Sequence, residues 1–122
     1  MNKTALIAYI QSRYDTTPDY LFAKHPTAAV FRHKNGKWFA LLTSPSANKL
    51  GLSGDDCHDI INPDIINLKV PPEQLGSLLA MPGFLPAYHM NKEHWVSALI
   101  DVADEKLLKS VLDDSFYLTS QA

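Results

Sequence analysis

The chain has 122 residues, with 11 Lys and Arg against 13 Asp and Glu and a formal net charge of -2. That length suits one domain spanning 1–122, which on folding buries roughly two-thirds of the surface of its unfolded chain and needs no disulfide or metal to hold it. A slightly acidic balance argues against strong non-specific polyanion binding, and the single cysteine, Cys57, excludes an internal disulfide and fits a reducing compartment.

The opening, MNKTALIAYIQSRY, lacks an uninterrupted apolar core followed by a small-residue cleavage site, so no signal peptide is expected. No run approaches the roughly 18 apolar residues of a membrane span. A cytoplasmic protein without membrane association is therefore expected. Leu6, Ile7, Ile10 and Tyr14 recur at helical spacing over residues 4–14, with Thr4 or Asn2 as N-cap, and Pro18 blocks continuation. The next segment, AAVFRHKNGKWFALLT, reads as a hairpin: two β-prone runs flank Asn35-Gly36, a pair that tolerates the positive φ of a tight turn. Strict alternation places Val30 and Arg32 on one face and Phe31 and His33 on the other. In the second strand it opposes Trp38, Ala40 and Leu42 to Phe39, Leu41 and Thr43. Because 39–42 is apolar on both faces, this strand belongs inside the sheet.

Residues 44–64 hold two prolines, two glycines and several acids, and read as a long loop in which Ile60 and Ile61 serve as anchors. IINLKV, 65–70, is a third strand. Pro71-Pro72-Glu73 then opens a short helix with a Leu75, Leu78 and Leu79 stripe, ended by Pro82-Gly83. A strand follows over about 95–100. Asp101, with Asp104 three positions on, is expected to cap a last helix whose apolar face is Leu107, Leu108, Val111, Leu112 and Leu118. The order helix, hairpin, strand, helix, strand, helix suits a two-layer α+β domain with a mainly antiparallel sheet covered by helices.

Chemistry-bearing clusters are few. His89 and His94 with Glu93 lack the convergent spacing of a metal site, and DDCHD, 55–59, has the composition of a solvated loop. GLSG, 51–54, is one residue short of a nucleophile elbow, and neither a phosphate-loop nor a dinucleotide fingerprint is present. No metal, no cofactor and no enzymatic activity is expected. The charge, however, is uneven. Lys24, Arg32, Lys34, Lys37 and Lys49 fall in an acid-free stretch with His25 and His33, while acids gather at 55–64 and 101–114.

Three strings in register carry a family resemblance: GKWFALL (36–42), NLKVPPEQ (67–74) and PGFLPAYHMNKEHWVSALID (82–101), followed by a last helix ending near SFYLTSQ. HMNKEHW, 89–95, is the most specific. Together they resemble the MmcQ/YjbR family of small bacterial proteins. The resemblance implies a compact α+β fold akin to the CyaY-like topology, and a double-wing DNA-binding role. On that reading the hairpin tip is a wing, and Lys24, Arg32, Lys34, Lys37, Asn91 and Lys92 contact nucleic acid, with His89, His94 and Trp95 shaping the surface. Alternatively the motif is structural, with Trp95 entering the core and His89, Asn91 and His94 satisfying backbone groups of the turn. A further alternative is a protein-interaction or small-ligand and cation-binding module, in which acids such as Asp113 and Asp114 meet a basic partner.

Overall fold

In the computed structural model, residues 1–46, 50 and 63–120 are described. The expectations for 47–49 and 51–62, which include Lys49, GLSG, DDCHD, Cys57, Ile60 and Ile61, lie outside the described residues. Helix α1 (Lys3–Tyr14) starts where the Asn2 side chain accepts a bond from the Ala5 N–H, supplying one of the donors that a first helical turn leaves unpaired. It ends at Asp15 in the left-handed region, φ 49°, three residues before Pro18. Leu6 and Ile10 are fully buried, with Ile7 and Tyr14 packed beside them.

Strands β1 (Ala29–Arg32), β2 (Trp38–Thr43), β3 (Ile65–Lys69), β4 (Phe84–Pro86) and β5 (Trp95–Leu99) form one antiparallel sheet in the order β1-β2-β3-β5-β4. A 3-10 turn (Pro72–Gln74) leads into α2 (Leu75–Leu79), and α3 (Glu105–Ser120) closes the described chain. The α+β class and the antiparallel sheet agree with the sequence. β4 went unpredicted because a three-residue strand ending in proline carries almost no period-two signal. It pairs with β5, Phe84 opposite Ala98, and so places the 87–94 turn at the same end of the sheet as the β1–β2 tip. Three details of the helices differ from expectation. Leu79 and Leu118 are exposed rather than buried. The last helix is capped by Asp104, whose carboxylate accepts from the Leu107 N–H at 3.0 Å, rather than by Asp101. Finally, two polar residues, Ser115 and Thr119, continue its buried stripe.

Pairing fixes the two faces. Ala29, Phe31, Ala40, Leu42, Ile66, Leu68, Val96, Ala98 and Phe84 turn toward the helices and form one core with Leu6, Ile10, Leu78, Leu108, Val111 and Leu112. The other face carries Val30, Leu41, Asn67 and Ser97 in one cross-strand row. Strict alternation fails at the start of β2. Phe31 pairs with Ala40 but Arg32 pairs with Trp38, so Phe39 is an extra residue, a β-bulge. Phe39 therefore joins Ala40 and Leu42 in the helix-side core, whereas Trp38 packs with Val30 and Leu41 on the far face. The tip is also longer than a two-residue turn. Gly36 N–H bonds the His33 carbonyl, His33 N–H bonds the Lys37 carbonyl, and Gly36 alone of the tip residues takes positive φ, 91°.

A bulge leaves ladder groups unpaired, and α3 supplies the missing partner. Ser115 Oγ donates to the Phe39 carbonyl at 2.6 Å and accepts from the Lys69 N–H at 2.8 Å. The carbonyl is buried and the N–H part-buried, and a buried group left unsatisfied costs roughly 1–3 kcal/mol. Ser115→Ala should therefore lower unfolding free energy by roughly 1–3 kcal/mol in urea titration. A variant as stable as the parent would mean that the hydroxyl is not the link between bulge and helix.

Candidate nucleic-acid interface and adjoining cleft

The hairpin tip, the end of β3 and the start of β5 meet at one end of the sheet. Lys69 lies directly opposite Trp95, and the Val70 N–H bonds the His94 carbonyl at 2.9 Å. Because the bulge sends Trp38 to the same face, Lys69 is bracketed by two half-buried indoles. A shallow depression of about 300 Å³ here is lined by Lys37, Trp38, Lys69, Met90, Trp95, Leu118 and Thr119. Cation and ring thus share one surface, the combination that suits phosphate contact beside base stacking.

The residues singled out in the sequence fare unequally. Lys34 and Lys37 stand exposed at the tip, and Lys92 is exposed in the turn before β5. Arg32 is neutralised by Asp19 at 2.9 Å, and Asp19 also pairs its backbone with Val30 along the outer edge of β1. Lys34 shares a second depression with Asp15 as well as with Arg32. Lys24 is exposed in the segment that leads into β1. Asn91 acts within the turn: its side chain accepts from the Glu93 N–H at 2.8 Å and its carbonyl from the Trp95 N–H at 2.9 Å. His94 is exposed and contributes its carbonyl. His89 adopts φ 56° and stacks on Tyr88 with ring centroids 4.0 Å apart. Trp95 is half-buried at the sheet end. Sequence reasoning missed Lys69, which only pairing registers beside Trp95, and Trp38, whose face depends on the bulge.

The turn that holds Tyr88 and His89 is tied to the sheet by buried polar groups. Asn67 Nδ2 donates to the Tyr88 carbonyl at 2.9 Å, the Tyr88 N–H donates to Ser97 Oγ at 2.8 Å, and Ser97 in turn donates to the Asn67 side-chain oxygen. Asn67 and Ser97 are fully buried. Such groups are tolerated in a sheet interior only when satisfied, and here they fix the backbone of Tyr88 over the sheet face opposite α3. Between this turn and the segment before β1 lies a cleft of about 550 Å³, floored by Ala28 and Leu41 and flanked by Trp38.

Of the acids in the alternative reading, Asp113 is already engaged. Asp113 accepts from the Tyr14 hydroxyl and from Arg13 at 3.2 Å. Burial works to raise its carboxyl, but these bonds and the guanidinium charge outweigh it and hold Asp113 below the usual carboxylate range. Burial, followed by the bond to Asp113, raises the Tyr14 phenol. Among the described residues no group of three or more His, Cys, Asp or Glu could hold a metal ion. Nor, among them, is any helix long and apolar enough to cross a membrane.

The hairpin is locked to α3 through His33. Its Nε2 lies 2.8 Å from Thr119 Oγ1, which itself donates to the Ser115 carbonyl, so Nε2 carries the proton in that pair. The ring packs against Phe39 and Phe116. Burial lowers its pKa from 6.5, a bond to the Phe116 carbonyl opposes this, and the charge of Lys37 adds to the lowering. A folded pKa below the unfolded one means that the unfolded chain binds more protons in the window between them, so stability rises with pH there. His33 should contribute in full above pH 6.5 and lose its contribution as pH falls through the folded value. Urea midpoints of the parent and His33→Gln, compared on either side of that pH, should show a shallower acid loss in the variant; parallel profiles would contradict the assignment.

A family model described as YjbR matches residues 11–118. The uncharacterized protein YyaQ of Bacillus subtilis (strain 168) is 38% identical over 121 residues, covering 98% of each chain. YbdF of Escherichia coli O157:H7, also uncharacterized, is 42% identical over 55 residues, 43% of this chain and 45% of that one. A crystal structure of a Pseudomonas syringae protein superposes with a TM-score of 0.89 at 48% identity, covering 98% of this chain and 99% of that one. Deinococcus radiodurans DR2400, at 22% identity and TM-score 0.65 over 94% of this chain and 78% of its own, shares the fold. The matched span runs from the end of α1 through the hairpin, the 87–94 turn and most of α3, and the chain belongs to the YjbR family.

Proposed function

We propose that the protein binds DNA through the end of the sheet where the hairpin tip and the turn before β5 meet. The carrying observation is the placement of Lys69 between Trp38 and Trp95, with Lys37 lining the same depression. Lys34 on the tip and Lys92 in the turn extend the positive potential on either side. Arg32, paired with Asp19, sits behind this lip and orders the edge strand. Overall charge is slightly negative, so attraction is confined to this end and the affinity is modest at physiological salt.

A second reading has its own support. A partly enclosed cleft with aromatic walls and a few polar groups at its rim is the usual form of a small-ligand site, and the 550 Å³ cleft has that form. The acid-based partner reading draws no comparable support, since Asp113 is engaged within the fold.

Each phosphate neutralised on duplex DNA contributes about -0.9 to the slope of log K against log salt. Titration of a labelled duplex at two ionic strengths should give affinity that falls steeply with salt. Lys37→Glu with Lys69→Glu should weaken it at least tenfold at low salt and flatten the slope by about 1–2. Absence of binding at low salt, or affinity indifferent to salt, would remove this function.

A further inference from the structure

The cleft on the sheet face opposite α3 is built as a slot between aromatic walls. On one side Phe22 and Trp38 meet edge to face, centroids 6.0 Å apart, and Phe22 remains 36% exposed. On the other, Tyr88 and His89 lie nearly parallel, 12° between planes. Ala28 and Leu41 give an apolar floor, while His25, His89, Thr43 and Ser44 set donors and acceptors around it. The second wall is held in place: the Asn67–Ser97–Tyr88 bonds clamp its backbone from beneath, and His89 keeps a left-handed φ of 56°. That conformation disfavours a side chain with a Cβ and persists only when the surroundings enforce it. A fixed ring wall, a facing aromatic pair and a polar rim are complementary to a flat ring that carries hydrogen-bonding edges.

We infer that this cleft binds a planar nitrogen heteroaromatic ring, inserted between the Phe22–Trp38 and Tyr88–His89 walls with its polar edge toward the rim groups His25 and Thr43. The inference rests on the small-ligand reading rather than on the electrostatic one: the two sites share Trp38 and Met90, but Phe22, His25, Ala28 and Leu41 lie off the cationic lip. A ring of this kind arrives either as a free small molecule or as an unpaired base on a single strand.

Adenosine, guanosine, cytidine and thymidine, and separately a mixed-sequence single-stranded oligonucleotide, are to be titrated to millimolar concentration while amide shifts and tryptophan fluorescence are followed. Saturable quenching of Trp38 together with shifts at Tyr88–Met90 is expected. His89→Gly suits the positive φ and so keeps the fold, and Phe22→Ala trims an exposed ring; each should weaken binding at least tenfold. Nucleoside saturation without a strand response assigns a free molecule as the source. Oligonucleotide binding weakened by both variants assigns a base on a strand. Silence from every probe overturns the inference, as does oligonucleotide binding indifferent to both variants with no nucleoside response. Failure here with duplex binding intact leaves the lysine lip standing, and the reverse result leaves the cleft.

Discussion

The bulge at Phe39, closed by Ser115, is the constraint on which the rest of this architecture rests. Without the extra residue, period-two alternation would place Trp38 among the helix-side residues and turn Phe39 outward. With it, Phe39 fills the core against Tyr14, Phe31 and Phe116. Burying a phenylalanine there is worth roughly 3–5 kcal/mol by the usual cost of truncation. The indole moves to the opposite face, where Lys69 and Trp95 already lie. One hydroxyl from α3 bridges the opened ladder, so helix packing and sheet register are coupled at this point.

That coupling extends outward. Thr119, one turn beyond Ser115, is bonded to His33 at the base of the tip, so α3 sets both the bulge and the position of the hairpin. Across the sheet, Asn67 and Ser97 hold the 87–94 turn over the face opposite α3. Two buried polar devices, one on each face, thus place two loops from distant parts of the sequence at the same end of the sheet. Such devices cost desolvation and are stable only when complete. Here no buried side-chain nitrogen or oxygen of the described residues lacks a partner.

Much of this was legible in the sequence. The first helix, with Asn2 as one of two cap candidates, the hairpin around Asn35-Gly36, the strand 65–69 and the strand beginning at Trp95 all carry local signals strong enough to read. What stayed hidden depends on partners far along the chain. The bulge is invisible because WFALLT alternates equally well in either phase. Ser115 and Thr119 look like interruptions of an apolar stripe until their acceptors are known. Lys69 reads as an ordinary strand lysine until β5 sets Trp95 opposite it. The residues singled out in the sequence gather in part at one end of the sheet, but they included Arg32, which is paired with Asp19, and Asn91, whose side chain is spent on the Glu93 N–H.

On the proposed function, strand register rather than net charge creates the surface that meets DNA. Amide chemical-shift mapping during titration with a short DNA at low salt tests this most directly. Perturbations confined to 34–38, Lys69, 88–95 and the adjoining Leu118 and Thr119 are expected, with the rest of the helical layer silent. Shifts centred on Tyr9 and Lys109 of the helical layer, or scattered over the whole surface, would contradict it.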